Sequence, residues 1–476
     1  MDLRGKTVLV LGIGQTGLSM AKWLARCGAM VRAADTRQAP PCLEELRQSL
    51  PGARIHEGGF DAEAFAGADI VAISPGVPLA EPLVRQAAAS GVPVVGDMEL
   101  FALAMQQEDV ARGKIVGITG SNGKTTVTAM VGAMIRKAGQ DVEVAGNIGP
   151  PVLDALMRRQ DAGLLPQVWI LEISSFQLET TQSLRLDVAA VLNVTEDHFD
   201  RYAGMEDYAA AKARIFLMGY PNRLDSPDSL SDRGGSIQVL NRDDPLVRPM
   251  ALSGRKQVTF GRGMPAEDSD YGLLPEGEDA WLMQGKKRLI RASKLAVTGL
   301  HNATNALAAL ALCRAIALPL EPLLQALREF RGLPHRMEKV AVMDSVTFYD
   351  DSKGTNVGAT VAALNGLSGP VVLIAGGDGK GQDFSPLAEP VARHARAVVL
   401  IGRDAGNMAA ALECCGVPLY FASSMEEAVQ QGFGLSKQGD AVLLSPACAS
   451  LDMFRNYVHR SAVFVAAVQA LSKEAL

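Results

Sequence analysis

The stretch Gly117-Ile118-Thr119-Gly120-Ser121-Asn122-Gly123-Lys124-Thr125-Thr126 combines the residue types that hold a polyphosphate. Gly117, Gly120 and Gly123 let the backbone fold close enough to aim N–H groups at phosphate oxygens. Lys124 adds a point charge, and the Thr125 hydroxyl can ligate Mg²⁺. The apolar run Ile115 to Ile118 predicts a strand leading into this turn. Val127, Met130, Val131, Met134 and Ile135 recur with helical spacing, so a helix N-terminus with its partial positive charge is expected under the phosphates. One departure from the general P-loop pattern stands out: where that pattern opens the turn with glycine, this chain has Ile118. The bland alternative is a chance glycine-rich turn.

Two further strand ends carry chemistry. Val168-Trp169-Ile170-Leu171 is apolar on both faces, which predicts a central strand, and it ends in Glu172, a carboxylate able to hold Mg²⁺. A solvated residue at a sheet edge is the other reading of Glu172. The run Val188 to Val194 ends in Thr195-Glu196-Asp197-His198. In an open parallel sheet the ligand lies beyond the carboxyl ends of the strands, so the cradle, Glu172 and His198 are expected to converge. A lone histidine is otherwise a structural residue.

The elements that must position these residues alternate along the chain. Strand-like runs at Thr7 to Leu11, Ile70 to Ile73, Ile115 to Ile118, Val168 to Leu171, Val188 to Val194, Val371 to Ala375, Ala397 to Ile401 and Ala441 to Leu444 are separated by helical patterns. Repeated βα units imply an α/β fold with parallel sheets. The first unit carries a GxGxxG turn, Gly12 to Gly17, and Asp35 closes its second strand. At 476 residues the length suggests about three domains. Boundaries are expected near Leu103, before the polar segment Gln106 to Lys114, and in Arg331-Gly332-Leu333-Pro334-His335-Arg336, where glycine and proline interrupt a helix. These divide the chain into 1–103, 104–332 and 333–476. Pro221 to Gly235, rich in Ser, Asp, Pro and Gly, reads as an exposed loop without chemistry.

Hydrophobic residues at 48%, charged residues at 21% and a net charge of -6 describe a globular protein with no general attraction for nucleic acid or anionic membranes. No apolar run reaches the length of a membrane span, and the chain enters a strand by Lys6, so a cytoplasmic location is expected. The six cysteines show no CxxC spacing, which favours free buried thiols.

With these residues in place the chain resembles the ATP-dependent Mur ligases. The resemblance is carried by Thr119 to Thr126, Gly146-Asn147-Ile148-Gly149, Glu172-Ile173-Ser174-Ser175, Asn193-Val194-Thr195-Glu196-Asp197-His198, Gly299-Leu300-His301-Asn302-Ala303-Thr304-Asn305-Ala306, Gly332 to Arg336 and Asp351-Ser352-Lys353-Gly354-Thr355-Asn356. It spans nearly the full chain. Gly376-Gly377-Asp378-Gly379-Lys380 and Leu444 to Phe454 are most similar to the members of the family that add D-glutamate. The resemblance implies an N-terminal Rossmann-like UDP-binding domain, a central P-loop-type ATPase domain and a C-terminal Rossmann-like domain. It implies an amide-forming reaction through an acyl phosphate, with UDP-N-acetylmuramoyl-L-alanine and D-glutamate as substrates and ATP as energy source.

Residue by residue, the resemblance assigns Gly120, Asn122, Gly123, Lys124, Thr125, Thr126, Asn302, Asn305, Arg336, Asp351 and Lys353 to ATP. Two Mg²⁺ ions fall to Thr125, Glu172, His198 and Lys212, the last as a carbamate. From its alanine-rich helix alone Lys212 would be a solvated lysine; a carbamate needs its neutral amine to capture CO₂, which turns a cation into a carboxylate surrogate. The UDP-sugar falls to Gly14, Gln15, Thr16, Gly17, Asp35, Thr36, Arg37, Ser74, Gly76 and Asn147. D-glutamate falls to Thr355, Lys380, Ser450 and Tyr457, with Asn356 close by. Lys380 could instead be a solvated turn residue, Asn302 and Asn305 helix-start caps, and His301 and His335 packing residues. A monomer is implied by the family alone. Three rivals remain: a dehydrogenase using Asp35 on a dinucleotide ribose, a folylpolyglutamate synthase or another Mur ligase, and a nucleotide-binding regulator without turnover.

Overall fold

A computed structural model describes residues 2–107, 113–218, 236–277, 279–297, 299–367 and 369–474. The expected loop Pro221 to Gly235 lies outside the described residues, as do residues 108–112 of the first expected boundary segment. The chain forms two compact units: Met1–Asn193 with Tyr208–Tyr271 and Leu307–Ala326, and Val194–Asp207 with Gly272–Ala306 and Leu327–Leu476. Among the described residues no helix is long and apolar enough to cross a membrane.

The first unit opens with β1 (Thr7–Leu11), β2 (Met30–Asp35), β3 (Arg54–Glu57), β4 (Ile70–Ile73) and β5 (Val94–Val95). They pair in parallel in the order β3-β2-β1-β4-β5. This order reverses direction between β1 and β4, which opens a crevice at their carboxyl ends. The helix Gln15–Arg26 that follows β1 lies so close to it that a Cβ on Gly17 would stand 1.8 Å from the Gly12 carbonyl oxygen, which is why that position is glycine.

A second sheet starts with β6 (Lys114–Thr119), β7 (Val142–Gly146), β8 (Val168–Glu172) and β9 (Val188–Val191), followed by β10 (Ile237–Asn241), β11 (Gln257–Phe260), β12 (Tyr271–Glu276), β13 (Asp279–Gln284) and β14 (Lys287–Arg291). Their order is β14-β13-β12-β11-β10-β9-β6-β8-β7. Strands β6, β7, β8 and β9 are parallel, so Thr119, Glu172 and Val191 all end at one edge. The helix Lys124–Lys137 buries Val127, Met130, Val131, Met134 and Ile135, the face read from the sequence. Strand β9 stops at Val191, short of the expected Val194, because Asn193 leaves the ladder to bond the cradle backbone.

The helix Asp97–Gln107 contains Leu103, the expected first boundary, and packs on the second sheet. The Phe101 ring meets Trp169 edge-on at 5.1 Å, and the backbone N–H groups of Gln182 and Ser183 donate to Glu99 Oε2.

The second unit is built on β15 (Glu338–Met343), β16 (Val346–Asp350), β17 (Val371–Gly376), β18 (Ala395–Ile401), β19 (Leu419–Phe421) and β20 (Ala441–Leu444), in the order β15-β16-β20-β17-β18-β19. All pairs but β15 with β16 are parallel. Alternation along β17 sends Val371, Leu373 and Ala375 to one core and Val372 and Ile374 to the other, which explains the unbroken apolar run of a strand covered on both faces. Segment Arg331–Arg336 belongs to neither the preceding helix, which ends at Glu329, nor β15. All six cysteines are free, but only Cys313 and Cys448 are buried; Cys414 is exposed on a single turn after a helix, against the expectation of buried thiols throughout.

Deleting the Phe101 ring removes a buried aromatic contact. Phe101→Ala is expected to cost about 3–5 kcal/mol and to move the urea transition followed by tryptophan fluorescence to lower concentration. Leu164→Ala, at a leucine 62% exposed, should leave that transition in place.

Candidate active site

The cradle is held from behind by the end of β9. Asn193 Oδ1 accepts from the Asn122 backbone N–H at 2.8 Å, its Nδ2 donates to the Asn122 carbonyl at 3.0 Å, and its own carbonyl accepts from Ser121 N–H at 2.9 Å. Gly123, with φ of 80°, turns the chain into the helix Lys124–Lys137. Lys124 Nζ donates to the carbonyls of Gly120 at 2.6 Å and Ser121 at 2.8 Å, so the cation expected on a phosphate folds back over the turn. Asn193 was not singled out from the sequence as a site residue, although it stands in a motif shared with the family.

Glu172 ends a strand flanked by β6 and β7 and is 1% exposed, so the sheet-edge alternative fails. Its Oε1 accepts from Asn147 Nδ2 at 2.6 Å, while its Oε2 is buried without a hydrogen-bond partner. A buried, unpartnered carboxylate oxygen is costly and fits a site for a cation. Lys212, which its helix alone would leave in water, is 1% exposed: Nζ donates to the Gly120 carbonyl at 3.0 Å and lies 4.2 Å from the centre of the Tyr208 ring. Glu172 and Lys212 thus share the first unit with the cradle. His198 lies in the segment Val194–Asp207 of the second unit, where its backbone has φ of 60° and its Nε2 stands 3.5 Å from Asp197 Oδ2.

A cleft of about 510 Å³ in the first unit is lined by Gly14, Gln15, Thr16, Asp35, Arg37, Ser74, Gly76, Asn147 and Gln177, among others. It lies at the carboxyl ends of β1 and β4, where that topology predicts a ligand, and has the size of a small-molecule site. Asp35 inside it is fully engaged. Its Oδ2 accepts from Ile13 N–H at 2.6 Å and from Arg37 Nη2 at 2.7 Å, and its Oδ1 accepts from Arg37 N–H and Nε. Burial works against its charge, but these bonds hold its carboxyl below the usual range. Gln177 was missed from the sequence. It closes a capping box with Ser174 and donates from Nε2 to Asp97 Oδ2 at 2.9 Å. Burial pushes Asp97 up to about 6 against that bond.

In the second unit, β16, β17 and β20 end at one edge. The turns carrying Lys380 and Ser450 are tied by an antiparallel bridge between Asp378 and Ala449, with Ala449 N–H donating to the Asp378 carbonyl at 2.8 Å. Lys380 has φ of 53° and its Nζ lies 3.5 Å from Asp197 Oδ1, so it is an ion-paired residue and no solvated turn lysine. Thr355 follows Lys353, whose Nζ stands 3.8 Å from the Tyr457 ring centre. Arg460, also missed from the sequence, is completely buried and donates to the carbonyls of Cys448 and Ser352, joining two of the site's loops. His335, expected to pack, bonds Ser461 Oγ and Asp350 Oδ2 through Nδ1. Asn302 and Asn305 lie inside the helix Leu300–Ala315, bonded to each other, and do not cap it. Asp351 Oδ2 accepts from Ser445 Oγ at 2.7 Å.

Three family models match the chain: the Mur ligase MurD-like N-terminal domain over residues 6–96, the Mur ligase middle domain over 118–313, and the Mur ligase glutamate ligase domain over 335–448. The UDP-N-acetylmuramoylalanine--D-glutamate ligase of Nitrosospira multiformis is 65% identical over 471 residues, covering 99% of this chain and 97% of that protein. The ligase of the same name from Nitrosomonas europaea is 59% identical over 474 residues, covering 100% and 98%. Among solved structures, the UDP-N-acetylmuramate-alanine ligase of Thermotoga maritima matches with a TM-score of 0.59 at 20% identity, covering 98% of this chain and 99% of that one. A pseudomurein peptide ligase type C from Methanothermus fervidus matches with a TM-score of 0.57 at 18% identity, covering 92% and 96%. These two share the fold.

The Asp351 carboxyl carries a consequence for stability. Burial pushes it up to about 7 from 3.8, against the Ser445 hydrogen bond and the charge of Arg336. The folded protein then binds this proton more tightly than the unfolded chain, so its contribution falls as pH rises from about 4 and levels off above about 7. Between about pH 4.5 and 8 the urea midpoint of Asp351→Asn is expected to fall less than that of the wild type.

Proposed function

Because the chain belongs to the Mur ligase family, with its three α/β domains and parallel-rich sheets, we propose that it is an ATP-dependent ligase that adds D-glutamate to UDP-N-acetylmuramoyl-L-alanine, forming ADP and phosphate. The reaction belongs to peptidoglycan precursor synthesis. Full-length similarity to ligases of that name carries this reading. We further propose a cytoplasmic monomer with functional divisions at 1–103, 104–332 and 333–476.

The substrate carboxylate attacks the γ-phosphorus of ATP, giving an acyl phosphate and ADP. The D-glutamate amine then attacks the acyl carbon, and the tetrahedral adduct expels phosphate and loses a proton to leave the amide. Phosphoryl transfer needs positioning and charge neutralisation more than covalent help. Gly120, Asn122, Gly123, Thr125 and Thr126 are proposed to offer the cradle and helix N-terminus to the phosphates, and Lys124 to turn from the Gly120 and Ser121 carbonyls toward them. Asn302, Asn305, Arg336, Asp351 and Lys353 are the proposed nucleotide contacts of the second unit. A bound Mg²⁺ would neutralise phosphate charge. Thr125 and Glu172 are the residues proposed to hold it, supported by the unpartnered Glu172 Oε2. His198 is proposed for a second ion on family resemblance.

The cleft of the first unit is the proposed seat of the UDP-sugar, with Gly14 to Gly17 toward the diphosphate, Asp35, Thr36 and Arg37 toward the base, and Ser74, Gly76 and Asn147 along the rest. The engagement of both Asp35 oxygens with Ile13 and Arg37 supports this over a dehydrogenase, whose acidic residue must accept from a ribose. Thr355, Lys380, Ser450 and Tyr457 are proposed to bind D-glutamate through a cation and hydroxyl or backbone donors.

Two assays test these proposals. Phosphate release from ATP with UDP-N-acetylmuramoyl-L-alanine is expected to depend on D-glutamate and not on L-alanine, L-lysine or meso-diaminopimelate; release without that dependence would remove the reading. Lys212→Ala is expected to lose most activity and to regain part of it with a small added carboxylic acid, as a carbamate role requires. Full activity without the acid would exclude that role.

A further inference from the structure

The proposed D-glutamate contacts leave one charge of the substrate unanswered. At neutral pH the amino acid carries two carboxylates and one ammonium, yet Thr355, Lys380, Ser450 and Tyr457 bring a cation and hydroxyl groups and no anion. The carboxylates of the Lys380 turn itself are already engaged. Asp378 Oδ1 accepts from the Lys380 N–H and its Oδ2 pairs with Arg403 at 3.2 Å, while Asp404 accepts from the Gly379 N–H and from Asn407. The anion that meets the Lys380 cation itself is Asp197, whose Oδ1 lies 3.5 Å from Lys380 Nζ.

Asp197 is well fixed for such a task. Its side chain is 9% exposed, its Oδ2 accepts from Asn356 Nδ2 at 3.4 Å, and its Oδ1 accepts from the His198 N–H at 3.0 Å. Asn356 is itself anchored, since its Oδ1 caps the helix Val357–Leu364 by accepting from the Ala359 N–H at 2.9 Å. Asn356 also adjoins Thr355, so one short segment places both a proposed carboxylate contact and the support of Asp197.

Building on the D-glutamate reading above, we infer that Asp197 receives the α-ammonium of the incoming amino acid while Lys380 receives its α-carboxylate. The Lys380–Asp197 pair is an inverted copy of the substrate's own charges: a cation and an anion a few ångströms apart, with opposite polarity to the zwitterion. Entry of the amino acid exchanges one ion pair for two: the α-ammonium and α-carboxylate cancel, and the remaining carboxylate falls to the proposed hydroxyl and backbone donors, the condition under which such a site is affordable. The pair also selects. A dicarboxylate without the amine can compete for Lys380 but brings no cation to Asp197, whereas an α-amino acid engages both.

The test compares D-glutamate with glutarate, which keeps both carboxylates and lacks the amine, at saturating ATP and UDP-N-acetylmuramoyl-L-alanine. Asp197→Asn is expected to raise the KM for D-glutamate by roughly 10- to 100-fold, while the inhibition constant of glutarate stays the same or falls because Lys380 is released. Asp197→Glu, which keeps the carboxylate, should recover part of the D-glutamate KM and serves as the reading if the asparagine variant does not fold. The inference is overturned if Asp197→Asn keeps the D-glutamate KM within about threefold, or if glutarate weakens in parallel with D-glutamate. Where glutarate inhibits neither protein, the D-glutamate KM decides. Wild-type protein that releases no phosphate with D-glutamate would instead sink the parent reading, so the two failures are told apart.

Discussion

The carbonyl of Gly120 takes the nitrogens of two lysines, Lys124 at 2.6 Å and Lys212 at 3.0 Å, from positions far apart in the chain. That meeting depends on a close backbone approach. Gly120 has φ of 153°, and a Cβ there would press to 3.0 Å from the Leu192 side chain and 3.3 Å from the Asn193 backbone nitrogen. Because the turn lies this near the end of β9, Asn193 can clamp it with three hydrogen bonds while Lys212 reaches its underside. Pressure from the β9 side therefore sets the shape of the cradle, the burial of Lys212 and the early end of β9 together.

The same economy of placement governs the rest of the molecule. Parallel strands end at a common edge, so residues separated by tens of positions arrive together without specific contacts to draw them in. Glu172 reaches the cradle's edge because β8 pairs in parallel with β6, with Glu172 opposite Ile118. In the second unit Asp351, Lys380 and Ser450 follow β16, β17 and β20, and the Asp378–Ala449 bridge needs only one residue from each loop to lock two of them. Arg460 adds a cross-brace: burial lowers its guanidinium to about 10, opposed by the surrounding anions, and it still carries its charge at neutral pH while serving two loop carbonyls.

Much of this was legible in the sequence, because apolar runs and helical spacing report directly on burial. The eight strands read from the sequence are present, as is the buried face of the helix Lys124–Lys137, since a strand covered on both faces must be apolar throughout. What escaped depends on contacts distant in the chain. Lys212 sits on an alanine-rich helix that looks solvated, and its burial follows from Tyr208 and Gly120, which no local pattern announces. Gln177 and Asp97 are polar residues that meet across 80 positions, and Arg460 reaches the Ser352 carbonyl across 108. Asn193 was different: its motif was in view, but a side chain that bonds only backbone carries no chemical signature of its own.

Asp35 shows why a correct fold leaves the ligand open. The glycine turn after β1, the strand order β3-β2-β1-β4-β5 and an aspartate closing β2 together satisfy the pattern of a dinucleotide site. What separates the two functions is the state of two oxygens. In a dinucleotide site the carboxylate must offer an oxygen to the ribose, and here the Ile13 N–H, the Arg37 N–H and the Arg37 guanidinium fill both. The Arg37 side chain is 52% exposed and lines the cleft, backed by a buried anion. The carboxylate instead positions Arg37, so under the proposed reading the cleft meets its ligand by donating hydrogen bonds where a dinucleotide site would accept them.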